Sequence, residues 1–182
     1  DRSPSRGLGD VYKRQIFTTP TFRVYTNTDR RGVELGGAVK NVIALAVGIA
    51  MGLDYGDNAK AALITRGNAE LSRLGIAMGC KPETFAGLSG MGDLIVTCYS
   101  RHSRNQTVGR RLAEGKSLQE ILDALGMVAE GVPNTLSVYE IARKLGVRTP
   151  LIDAVYSVLY ESKPPMEALV ELMTRDPRPE LD

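Results

Sequence analysis

A multi-helix, all-α domain preceded by one lone strand is the fold class that these 182 residues predict. From Glu34 onward, apolar residues recur at helical spacing and are punctuated by helix-capping residues. Only Phe22–Thr26 combines β-branched and aromatic residues in rough alternation. Each of the last three helical segments has a proline near its start, where the missing N–H costs nothing.

The first fifteen residues, DRSPSRGLGDVYKRQ, are basic, carry Gly and Ser, and show neither helix nor strand periodicity. They read as an adaptor-derived, non-native leader and are set aside from fold reasoning, with a native flexible arm as the alternative. Phe22–Thr26 predicts a strand, and a lone strand cannot bury itself, which points to a sheet whose other strands lie outside this chain. Glu34 to Tyr55 predicts one long small-residue helix. Its Gly36, Gly37, Gly48 and Gly52 lower helix propensity, and they allow close approach of a neighbouring backbone or a ligand. Asp57 can cap a second helix running to Gly79. Pro82-Glu83-Thr84 starts a short third. Residues 87–94, GLSGMGDL, read as a glycine-rich turn. Ser103 can cap a helix through Leu112. Ser117-Leu118-Gln119-Glu120 is a capping box for a helix ending near Gly126. Pro133 to Leu145, Pro150 to Tyr160 and Pro165 to Thr174 complete the set, before a polar tail, DPRPELD.

The formal net charge of +2 is too small for a nucleic-acid-binding domain, which concentrates far more Lys and Arg. Cys80 and Cys98 have no metal-like spacing and no disulfide framework, so they read as buried thiols in a reducing compartment. The longest apolar run, Val42 to Leu53, falls short of the roughly 20 residues that span a bilayer.

Lys40 and Asn41 interrupt the apolar helix GGAVKNVIALAVGIAMG at 36–52. A structural lysine would send its stem along the surface with the head in water. The small residues Gly36, Gly37 and Ala38 beside it instead suggest a polar notch. There an ammonium can meet an anionic substrate or act as acid and base. A second polar cluster lies at 90–109. Asp93 follows the glycine turn, and Thr97 lies one helical turn further on. Ser103-Arg104-Asn105 opens a helix, where free N–H groups, a guanidinium and an amide suit a phosphate; the alternative is a plain Ser cap followed by solvated residues. His102 reads as an exposed loop residue. Arg66 either reaches the notch or pairs with Glu70 or Asp93. Glu130 either accepts ribose hydroxyls or faces water.

The stretches ELGGAVKNVIALAVGIAMGLDYGDNAKAALITRG, GLSGMGDLIVTCYSRHSRN and VAEGV resemble the helical domain of the bacterial type of NAD(P)-dependent glycerol-3-phosphate dehydrogenase. The resemblance runs from about Phe17 to about Thr174. It implies an N-terminal Rossmann-type dinucleotide domain, of which residues 16–33 would be the last strand, and a helical substrate domain over 34–182. No G-x-G-x-x-G follows a predicted strand here. The main NAD or NADP site, and the substrate lysine that the family carries in that domain, are therefore expected outside this chain, and the fragment alone is expected to be inactive.

Carried over by position, the resemblance implies Lys40 as proton donor and acceptor. It implies Asp93, Ser103, Arg104 and Asn105 as substrate contacts, and Arg104, Val128 and Glu130 as cofactor contacts. Asn41 and Thr97 are added from position alone. The implied reaction interconverts sn-glycerol 3-phosphate and dihydroxyacetone phosphate in the cytoplasm, supplying phospholipid synthesis. No nucleic acid, membrane span or metal is implied, and a homodimer is one assembly open to it. A catalytically silent helical interaction module, and a dehydrogenase of another small hydroxy acid, are the competing readings.

Overall fold

The computed structural model describes residues 4–100 and 102–176, so all but the first residue of the polar tail lies outside them. The all-α expectation is borne out, with two corrections at the start of the chain. The leader 1–15, which shows no helix periodicity and is set aside above, contributes with Ile16 and Phe17 to helix α1 (Pro4–Phe17). Its Val11, Tyr12, Ile16 and Phe17 stay exposed, so the described side chains over 11–17 form no buried face. The predicted strand Phe22–Thr26 does not form: an isolated bridge joins Thr19 to Phe22, and the rest is irregular. A β-rich segment without a neighbouring strand has nowhere to place its backbone donors except solvent.

Asp29 starts the helix on which the fold is built. One of its carboxylate oxygens accepts the Gly32 N–H at 3.0 Å; the other accepts the Lys81 N–H and the Thr84 hydroxyl, both at 2.8 Å. Helix α2 (Arg30–Gly52) therefore begins four residues before the expected Glu34. Val39, Val42, Ile43, Leu45 and Val47 are all fully buried, because α2 is wrapped by α3 (Asp57–Ala77), α5 (Asp93–Tyr99), α6 (Arg104–Ala113), α8 (Gly131–Lys144) and α9 (Pro150–Tyr160). By length and hydropathy α2 could cross a membrane, in contrast to the shorter run read from the sequence. However, 72% of its apolar window is buried inside the fold, which makes it the core helix.

The remaining elements are α4 (Pro82–Ala86), α7 (Leu118–Leu125) and α10 (Pro165–Met173). Gly56, not Asp57, occupies the cap position of α3. The glycine-rich turn is a single π-helical turn, Leu88–Gly92, running straight into the unpredicted α5. Helix α8 starts at Gly131, two residues before Pro133. The Ser117–Glu120 capping box forms as expected, and Gly126 closes α7 in the left-handed region at φ 59°. Both cysteines are free and buried; burial pushes the Cys98 thiol up to about 12, so it is inert.

Glu70 is 2% exposed and caps α9 from α3, its two oxygens accepting the Leu151 N–H at 2.7 Å and the Ile152 N–H at 3.2 Å. Burial raises its pKa to about 7, against the opposing pull of those two amides. The folded state thus holds this proton more tightly than the unfolded chain, where the value is near 4.5. Its contribution to stability is complete below about 4.5 and is lost as pH rises through about 7. Urea unfolding at about pH 5 and about pH 8 should show the wild-type chain losing more stability over that interval than Glu70→Gln, which does not titrate.

Candidate active site

Helices α2, α5 and α6 bring the two polar clusters together. Lys40 lies in the first half of α2, where its ammonium donates to Asp93 Oδ2 at 2.5 Å. The side chains are 23% and 36% exposed, so the pair is half in water and fixes geometry more than it stabilises the fold. Thr97, one turn along α5, donates to the other Asp93 oxygen at 3.5 Å. An ammonium has three N–H groups; one is spent on Asp93.

The glycines near Lys40 have separate uses. A Cβ on Gly36 would come within 2.7 Å of the Ser89 carbonyl, so Gly36 lets the π-helical turn, and Asp93 behind it, approach α2. A Cβ on Gly37 would meet nothing within 4 Å, so open space lies there.

Ser103 caps α6, its hydroxyl accepting the Gln106 N–H at 3.4 Å. The next residue, Arg104, is exposed and donates to the Val128 carbonyl at 2.9 Å, which ties the start of α6 to the loop before α8. Asn105 is buried and donates to Asn41 Oδ1 at 2.9 Å; its own oxygen accepts the Gly131 N–H at 3.0 Å. Asn41 in turn donates to the Gly37 carbonyl at 3.1 Å.

These groups border an open cleft of about 330 Å³. Its wall includes Asn41, Thr97, His102, Ser103, Arg104, Asn105 and Glu130. Lys40 and Asp93 are not in that wall; they adjoin it through Asn41 and Thr97. Val128 is outside it and joins through Arg104. His102 is exposed, as expected. Arg66 lines a different cavity, with Glu70, Arg73 and Arg148. Among the described residues no His, Cys, Asp or Glu cluster could hold a metal.

The Asn41 amide of α2 and the Arg104 guanidinium and Asn105 amide of α6 therefore share one cleft with an exposed carboxylate, Glu130, and the Lys40 ammonium adjoins it. The donors suit a phosphate and a ketone oxygen. Glu130 and Arg104, both in the cleft wall, fit the acceptor and donor needs of a dinucleotide's ribose and phosphate groups.

Sequence reasoning missed Gln106. It is 8% exposed and donates to the Thr97 and Ser100 carbonyls at 3.1 and 3.3 Å, clamping the end of α5 to the start of α6. It also missed Asn134, which donates to the Ala38 carbonyl at 3.3 Å. No sequence signal marks either, since both act on backbone groups of other elements.

The family described as "NAD-dependent glycerol-3-phosphate dehydrogenase C-terminus" matches residues 29–170. The glycerol-3-phosphate dehydrogenase [NAD(P)+] of Geobacter sulfurreducens is 58% identical over 163 residues, which are 90% of this chain and 49% of the relative. That of Geobacillus kaustophilus is 60% identical over 98% of this chain and 51% of its own length. The chain thus spans about half the length of these curated relatives. A crystal structure of glycerol-3-phosphate dehydrogenase from Coxiella burnetii superposes with a TM-score of 0.88 at 43% identity, covering 95% of this chain and 53% of that one.

Proposed function

The chain belongs to the NAD-dependent glycerol-3-phosphate dehydrogenase family, and from that premise we propose that it forms the substrate half of an enzyme reducing dihydroxyacetone phosphate to sn-glycerol 3-phosphate in the cytoplasm. The observation that carries this reading is the Lys40–Asp93 pair beside a cleft that Asn41, Arg104 and Asn105 line with donors.

NADH or NADPH, when bound, supplies the hydride. As negative charge grows on the ketone oxygen, Lys40 donates a proton to it, and in the reverse direction takes one from the hydroxyl. Asp93 holds the ammonium through one N–H and leaves two for the substrate. Arg104, Asn105 and the Ser103 end of α6 grip the phosphate. That remote binding energy orients the carbonyl for transfer. Arg104, Val128 and Glu130 are the groups of this chain that would face the cofactor.

The test is a chimera in which this chain replaces the matching half of the Geobacter sulfurreducens relative. Oxidation of NADH and NADPH is followed with dihydroxyacetone phosphate and with unphosphorylated dihydroxyacetone. Strong preference for the phosphate supports the proposal. A folded but inert chimera supports the silent-module reading, and equal rates on both ketones support a different substrate. In the active chimera, Arg104→Ala should raise KM for dihydroxyacetone phosphate about 10- to 100-fold with a smaller effect on kcat, since a charge-assisted contact to a non-reacting group is lost.

A further inference from the structure

Gly131 opens α8 at a position that does not demand glycine for its backbone: it is not among the residues with positive φ. What it provides is space and one donor. Its N–H points at Asn105 Oδ1 from 3.0 Å. A Cβ there would stand 2.8 Å from that same oxygen, 2.8 Å from the Asn41 main-chain oxygen and 2.9 Å from Leu45 Cδ1. Its carbonyl accepts the hydroxyl of fully buried Thr135 at 2.6 Å, which pins the peptide.

The contact decides which way round the Asn105 amide sits. With Oδ1 on Gly131, one Nδ2 hydrogen goes to Asn41 Oδ1 and the other remains for the cleft. A half-turn of the amide would set Nδ2 against the Gly131 N–H and Oδ1 against Asn41 Oδ1, two like-with-like contacts. Asn41 is held in the same way, because its oxygen is taken by Asn105 and its nitrogen by the Gly37 carbonyl.

We propose that Gly131 is a positioning residue: through its N–H and its missing Cβ it orients Asn105, and through Asn105 it orients Asn41, so that both amides present N–H groups to the phosphoester. The proposal rests on the function argued above. With alanine at 131, the Asn41 carbonyl belongs to the core helix and cannot retreat, so Asn105 must withdraw and both of its bonds are lost.

The experiment uses the chimera. Gly131→Ala should raise KM for dihydroxyacetone phosphate about tenfold, with KM for the nicotinamide cofactor and the far-UV circular dichroism unchanged. In an Asn105→Ala background the same substitution should add nothing to KM, while its thermal destabilisation, which comes from the Asn41 carbonyl and Leu45, persists. An equal rise in both backgrounds, or no rise in either, overturns the proposal. If Gly131→Ala does not fold, Thr135→Val takes its place, removing the hydroxyl that pins the peptide while keeping its shape. A rise in KM that depends on Asn105 supports the proposal; its absence overturns it. An unsubstituted chimera without activity overturns the functional reading itself, and this inference with it.

Discussion

Lys40→Ala should lower kcat of the active chimera by about a thousandfold while changing KM for dihydroxyacetone phosphate only a few-fold. The asymmetry follows from the placement of the amine. In the proposed site the phosphate would be gripped by Arg104 and Asn105, on α6, and that grip would survive the substitution. What disappears is the cation that Asp93 holds beside the cleft at 2.5 Å. In the proposed reaction the alkoxide formed by hydride transfer would then lack the ammonium that supplies its proton, and that charge is present in the transition state rather than in the bound ketone. Alanine also leaves Asp93 without its counter-ion next to the developing negative charge, which adds to the barrier. Lys40→Arg should rescue little, because a guanidinium keeps its proton throughout the accessible pH range. The measurement is the rate at saturating ketone and cofactor, in parallel with circular dichroism. A kcat within a few-fold of the parent would remove Lys40 from the chemistry.

The parts of this site that were legible in the sequence are those where a residue contradicts its local setting. An ammonium and an amide inside an apolar helix, and Ser-Arg-Asn at a helix start, stand out without any knowledge of what they meet. The body of α2, the capping box at Ser117 and the proline-led helices were legible for the same local reason. Helix α5 was not. Its Ile95-Val96-Thr97 run follows the glycine-rich turn at 87–94 and carries no helix start or stop of its own beyond the Asp93–Thr97 spacing. It is helical because Leu94 and Cys98, both fully buried, anchor it against the core, and because Gly36 and Gly90 let the preceding π-helical turn pack closely. The start of α2 was hidden because Arg30 and Arg31 carry no apolar pattern; its signal is the three bonds of Asp29, two of which come from residues more than fifty positions away. Gln106 and Gly131 were illegible because each acts across the fold on atoms supplied by other elements.

The largest effect on stability is expected at Gly109, where α6 lies against α2 with no side chain between them. A Cβ on Gly109 would come within 2.2 Å of the Leu45 carbonyl oxygen and 2.8 Å of the Ile49 nitrogen. On the other side, a Cβ on Gly48 would be 2.3 Å from the Gln106 carbonyl. The two glycines face each other's backbones, and Gly52 continues the contact against Arg110 and Ala113. These are main-chain atoms, so no rotamer change relieves the overlap. Gly109→Ala must drive the helices apart along the seam that also sets Asn41 against Asn105. The helix propensity that alanine gains, about 1 kcal/mol, is small beside an overpacking penalty on the order of 3 kcal/mol or more. The expected result is a lower urea midpoint, or a chain that does not fold, and in any folded chimera a higher KM for the ketone. Gly115→Ala offers the contrast. A Cβ there meets nothing within 4 Å, but the backbone sits at φ +85°, so its cost is local strain after α6 and the seam stays closed. A Gly109→Ala protein as stable as the parent would show that α2 and α6 are not in backbone contact, and the shared cleft would lose its structural basis.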